Sequence, residues 1–91
     1  SAGPRRASLG TMPDFGYGGN GVRIQQVMPG SPADAAGLTA GDVVVALGGV
    51  TITTLRDLSA ALAAHDPGDE VSVELRRHGE PLTVQVTLTE R

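Results

Sequence analysis

Residues 16–21, Gly16-Tyr17-Gly18-Gly19-Asn20-Gly21, spell G-x-G-x-x-G, a pattern whose bare backbone can close on a dinucleotide pyrophosphate. That chemistry requires the pattern to follow a strand and open a helix, whose N-terminus receives the phosphates. The next residues, Val22-Arg23-Ile24-Gln25-Gln26-Val27, alternate as a strand does, and no Gly-Lys-Ser/Thr follows to make a P-loop. The stretch reads as a flexible connection. A second grouping, His65, Asp66, Asp69 and Glu70, gathers one imidazole and three carboxylates, but around the turn Pro67-Gly68. His78 stands in another turn, between Arg77 and Gly79. Zinc needs spacings such as H-x-x-x-H, and a serine nucleophile needs an elbow such as G-x-S-x-G; neither is present. These side chains read as solvated turn residues. The chain is expected to be no enzyme by itself, with no catalytic residue, no metal ligand and no cofactor.

Bulk properties narrow the classes further. A length of 91 residues suits one small domain. Aromatics are only 2 % of the chain, so the core must be built from Val, Leu, Ile and Ala. Net charge is −3, every cation is an arginine, and no basic run exceeds two residues. Nucleic acid and anionic membrane are therefore excluded as expected partners. No cysteine is present, which rules out a disulfide framework and thiol chemistry. Ser1 is not an initiator methionine, so the chain is expected to be a fragment of a larger protein.

The elements that must position any site follow from pattern. Residues 1–6 are expected to be a disordered arm and residues 7–91 the domain. Ala7 to Met12 forms a short strand that Pro13 ends or bends. Val22 to Val27 is a strand. Pro29-Gly30 turns the chain, Ser31 caps a short helix with Pro32 at its first position, and Gly37 stops it. Gly41-Asp42 turns again into Val43-Val44-Val45-Ala46-Leu47, a run apolar enough to be covered on both faces. Gly48-Gly49 makes a tight turn into Val50-Thr51-Ile52. Thr53 or Thr54 caps a longer helix, Leu55 to about Ala64, with Asp57 as its capping partner. On that helix Leu55, Ser59 and Leu62 share one stripe, and Leu58 and Ala61 share the adjoining, core-facing one. Val71, Val73 and Leu75 alternate in one strand, and Leu82, Val84, Val86 and Leu88 in the last.

The phrase Pro29-Gly30-Ser31-Pro32-Ala33, then Ala36-Gly37-Leu38, then Gly41-Asp42-Val43-Val44, resembles the central signature of bacterial PDZ domains. The order of elements resembles their circularly permuted form, in which the last strand takes the place of the first. The resemblance covers roughly Ser8 to Leu88. It implies an α+β, mainly β fold: a small β-barrel or sandwich of five to six strands capped by two helices. Leu9-Gly10-Thr11-Met12-Pro13-Asp14-Phe15 is also similar to the opening of PDZ-like domains attached to di-zinc aminopeptidases. A trypsin-like periplasmic serine protease is the second parent that the resemblance allows.

PDZ domains take a partner's C-terminus by strand addition, and loop amides hold its carboxylate. Carried over, the carboxylate loop is Leu9, Gly10 and Thr11, and the groove is Met12, Pro13, Leu55, Ser59 and Leu62. Two departures predict a weak groove. Thr11 stands where an apolar residue is usual, and Pro13 cannot donate an N–H to an added strand, a loss of ~1 kcal/mol. The implied function is a non-catalytic interaction or regulatory module of a larger bacterial peptidase, binding C-terminal or extended apolar peptides. The alternative is a structural domain that packs on its parent catalytic domain with the groove unused. Zinc, on this reading, belongs to the parent, and the resemblance places the protein in the periplasm or outside the cell.

Overall fold

A computed structural model describes residues 7–90, so the expected arm over 1–6 lies outside the described residues. In chain order the elements are β1 (Ala7–Ser8), β2 (Thr11–Pro13), β3 (Val22–Val27), α1 (Pro32–Ala36), β4 (Val43–Leu47), β5 (Val50–Thr51), α2 (Leu55–Ala63), β6 (Glu70–Arg77), β7 (Glu80–Thr87) and β8 (Thr89–Glu90). Strands β2, β3, β4, β6 and β7 lie side by side in that order, with β5 paired to β4, and β1 pairs with β8. The sheet does not close, because β2 and β7 are its two ends. The permuted reading fits β1 and β8: the last strand of the chain is antiparallel to the first, Ala7 opposite Glu90.

Local chemistry accounts for both helices. Ser31 is extended and accepts the Asp34 N–H, Pro32 opens α1, and Gly37 closes it at φ +87°, a conformation that costs glycine no Cβ clash. Thr54 and Asp57 form a reciprocal capping box at the head of α2, a device worth about 1 kcal/mol. Leu58 and Ala61 of α2 are buried. They meet an aliphatic core that includes Leu9, Ile24, Val44, Leu47, Ile52, Val73, Leu75, Val86 and Leu88. Phe15 and Tyr17 stand outside it.

Four expectations need correction. The strand expected over Ala7–Met12 is broken at Leu9-Gly10, while Pro13 is the last residue of β2 and follows a shift in its register. The β4 run is not covered on both faces. Val44 and Leu47 are buried, whereas Val43, Val45 and Ala46 are half-exposed, because β5 and the loops cover that side only in part. Leu82 is exposed and Val84 only half-buried against the core, so full burial is confined to Val86 in β7 and Leu88 just beyond it. His65 is half-buried rather than solvated, its imidazole 3.5 Å from Asp69.

Candidate functional site

Gly10 is where the first strand breaks, and two constraints meet there. Its φ is +80°, a region that favours glycine. A Cβ at this position would also stand 2.1 Å from the Ser31 Cβ, so the backbone passes directly over the cap of α1. The Leu9 carbonyl accepts the Ala33 N–H and the Gly10 carbonyl accepts the Met28 N–H, each at 2.9 Å. Met28 lies in the β3–α1 connection and Ala33 in the first turn of α1, so two consecutive carbonyls face one side. A trans peptide turns its N–H opposite to its C=O. The N–H groups of Gly10 and Thr11 therefore face the other side together. In a regular strand they would alternate. Two convergent amides make a small anion nest.

Beyond Gly10 the chain resumes ordinary alternation. Gly10 bonds toward β3, and so does Asp14, whose N–H reaches the Arg23 carbonyl at 2.9 Å. The residues between them alternate, which turns Thr11 and Pro13 outward. The ladder register shifts between Met12, opposite Gln26, and Pro13, opposite Ile24. Because β2 ends the sheet, its outer side has no partner strand among the described residues. A chain added there meets carbonyls of Thr11 and Pro13, the amides of Gly10 and Thr11, and no amide at Pro13. Proline is tolerated in β2 for the same reason: its missing donor is on the open side.

The opposite wall is α2. Gly21 donates to the Thr53 carbonyl at 2.9 Å, which ties the head of α2 to the start of β3. With Leu58 and Ala61 turned to the core, the other stripe is left outside: Leu55 is 37 % exposed, Ser59 is exposed, and Leu62 is half-buried. Leu55 and Pro13 line one cavity of about 220 Å³, which Phe15 also borders. Of the expected site residues, the structure thus brings Pro13 and Leu55 together. Thr11 and Pro13 share one face of β2. Met12 lies on the opposite face, 40 % exposed. Leu9 gives its carbonyl to Ala33 and its side chain to the core. Among the described residues no group of three or more His, Asp or Glu could hold a metal ion.

Sequence reasoning passed over three residues that organise this region. Asp42, read only as a turn residue, is 1 % exposed. It accepts Arg77 Nε at 2.9 Å, Arg77 Nη2 at 2.8 Å and the Thr39 N–H at 2.9 Å. Arg77 Nη2 also reaches the Gly37 carbonyl at 2.9 Å, so one ion pair clamps the end of α1, the start of β4 and the end of β6. Burial pushes the Asp42 carboxyl up, but the hydrogen bonds from Arg77 and Thr39 outweigh it and hold its pKa below the usual value. Nothing local in sequence links residues 35 positions apart. The third is Phe15, which is 79 % exposed at the mouth of the Pro13–Leu55 cavity. Its partner Asp14 is held below the usual carboxylate pKa by hydrogen bonds from Arg23 and the Gly16 N–H.

Residues 6–88 match the family model described as PDZ domain. The chain is 38 % identical over 68 residues to the periplasmic pH-dependent serine endoprotease DegQ of Escherichia coli (strain K12), a match that covers 75 % of this chain and 15 % of that protein. Among solved structures, an aminopeptidase N family protein from Idiomarina loihiensis superposes with a TM-score of 0.84 at 28 % identity, covering 99 % of this chain and 15 % of that one. The HtrA-type protease AlgW, solved with a decapeptide, superposes with a TM-score of 0.85 at 23 % identity, covering 96 % and 30 %. Both parents anticipated from sequence are thus represented, and the chain spans only a minor part of each of these proteins.

Proposed function

Because this chain belongs to the PDZ domain family, we propose that it is a non-catalytic peptide-binding module of a larger bacterial peptidase, taking apolar C-terminal or extended segments by strand addition to β2. The observation that carries this reading is the pair of consecutive carbonyls, Leu9 and Gly10, bonded to one side, which turns the Gly10 and Thr11 amides together toward the strand edge at the end of the sheet. The peptide carboxylate sits on those amides, with Leu62 beside its last side chain. The chain then runs antiparallel to β2 toward Leu55 and Phe15, where apolar residues are favoured because neither of those two side chains can hydrogen-bond a hydroxyl. Binding is weak, because Pro13 withholds a donor and Thr11 makes the pocket floor polar. A serine-protease parent has the fuller support, since a curated relative reaches 38 % identity. The aminopeptidase parent rests on structural likeness. A periplasmic location is part of this proposal and is supported by relatives described as periplasmic serine endoproteases.

Those same two features favour a second reading, in which the domain packs on its parent catalytic domain and leaves the groove idle. An amide-resolved NMR titration separates the two. Apolar-ended peptides are added as free acids and as C-terminal amides. Shifts at Gly10, Thr11 and Leu62 with the free acid alone are the expected result. Silence at millimolar peptide sinks the binding role and leaves docking.

A further inference from the structure

A second cavity, of about 600 Å³, opens beyond the peptide groove, against the outer face of the sheet. The register there places Arg23 of β3 opposite Val43 of β4, and Val43 opposite Arg76 of β6. Directly paired residues project from the same face, so the three form one row: guanidinium, apolar floor, guanidinium. Their neighbours Val22, Ile24, Val44 and Leu75 are buried, which turns this row away from the core. Strands stand about 4.8 Å apart, so two spacings put the arginine backbones about 10 Å from one another.

The row retains unused donors. Arg23 commits Nη1 to Asp14. Its Nη2 is on the Gly41 side, 4.0 Å from where a Cβ on that glycine would stand. Arg76 is exposed, and among the described residues no carboxylate pairs with it. Arg77 adds a third guanidinium to the lining, and the one acid there, Asp42, is buried beneath its own hydrogen bonds. Asp14 and Asp42 offset Arg23 and Arg77, so Arg76 gives the wall its one surplus cation, on a chain whose net charge is −3. Guanidinium groups pair best with carboxylates presented in fixed geometry.

We propose that this cleft is a docking site for an acidic segment of a partner polypeptide, extended across β3, β4 and β6 with carboxylates on alternate residues. Alternate side chains of an extended chain share one face and lie about 7 Å apart. Carboxylates at that spacing set one against Nη2 of Arg23 and one against Arg76, with Val43 between them. The site is separate from the amide nest at Gly10, and its ligand needs no free C-terminus.

The test uses an acetylated, C-terminally amidated peptide, Gly-Glu-Thr-Glu-Thr-Gly, titrated into the labelled domain at low salt. The amide cap denies it the carboxylate loop, so failure here and failure of the peptide groove are read separately. Backbone shifts are expected at Arg23, Gly41, Val43 and Arg76, with Gly10 and Thr11 still. Affinity should fall on the order of tenfold when salt rises from about 0.02 M to 0.3 M, as screening predicts, and Arg76→Gln should abolish the shifts while leaving the spectrum folded. Three outcomes overturn the proposal. One is no shift at millimolar peptide, and another is equal shifts with the glutamine counterpart. The third is saturation of the same amides by inorganic phosphate at the same concentration, which would make the cleft a small-anion site.

Discussion

Strand β6 is paired along both sides, to β4 and to β7, and its buried Val71, Val73 and Leu75 alternate with polar residues that are exposed or half-buried. Strand β2 has three residues, one partner and a proline, and none of its side chains is fully buried. Both belong to one sheet, yet they divide its work. The central strands supply buried area and a complete ladder, which is where stability comes from. The β2 end supplies what a stable strand would not keep: amides and carbonyls without partners. An open edge is a hazard in general. Here its shortness, its proline and the wall of α2 restrict what can pair with it.

The contrast is broken most severely by truncation at its strong end. Leu75→Ala empties a site that is 1 % exposed and should cost about 3 kcal/mol. Met12→Ala on β2 should change stability by no more than about 0.5 kcal/mol. Denaturant midpoints of the two variants measure the difference; equal losses would mean that β2 belongs to the same cooperative core.

Next in size is the clamp that carries β6 to α1. Asp42→Asn keeps the shape but sets an amide against the Arg77 guanidinium, at a cost of about 2 kcal/mol near neutral pH. The sign of its pH dependence follows from the lowered pKa of Asp42. A carboxyl whose folded pKa lies below its unfolded value stabilises fully above the ordinary carboxylate range, and that contribution is lost as the pH falls through the folded pKa. The gap between wild type and Asp42→Asn should therefore be constant above about pH 5 and close below about pH 4. Parallel denaturation curves across that range test it, and a gap that widens in acid would contradict the clamp.

Gly10→Ala and Gly30→Ala compare two glycines of like conformation, φ +80° and φ +75°. A Cβ on Gly30 meets nothing within 4 Å, whereas one on Gly10 collides with Ser31. Gly30→Ala should cost about 1 kcal/mol from backbone strain alone and Gly10→Ala about 2 kcal/mol. Only Gly10→Ala should also erase the free-acid response at Thr11. If both variants bind normally, the amide nest is not where the carboxylate sits.

What sequence shows clearly in this chain is local. The Ser31-Pro32 start and Gly37 stop of α1, the Thr54–Asp57 box and the two stripes of α2 all depend on residues a few positions apart. Alternation likewise reveals β6. What it hides is contact across the fold. The break at Gly10 exists because Ser31 lies beneath it, the burial of Asp42 because Arg77 arrives from β6, and the row Arg23–Val43–Arg76 because three strands share a register. None of these leaves a periodicity to read. The proposed carboxylate loop rests on family likeness, while the physical basis proposed for it, two carbonyls drawn to one side, exists only in the fold.

The smallest expected effect is the most specific probe of the β2 edge. Pro13 points its missing donor outward, so Pro13→Val adds an N–H on the open side without removing any bond on the β3 side. The folded state should lose about 0.5 kcal/mol, because valine restores backbone freedom to the unfolded chain. The added strand should gain one net hydrogen bond, about 1 kcal/mol, or roughly a fivefold tighter free-acid peptide. The two changes have opposite signs, so a general stabilisation cannot imitate the second. A dissociation constant that is unchanged, with the shifts at Gly10 and Thr11 intact, would place the peptide in the nest but not alongside β2. Strand addition would then give way to capture of the carboxylate alone.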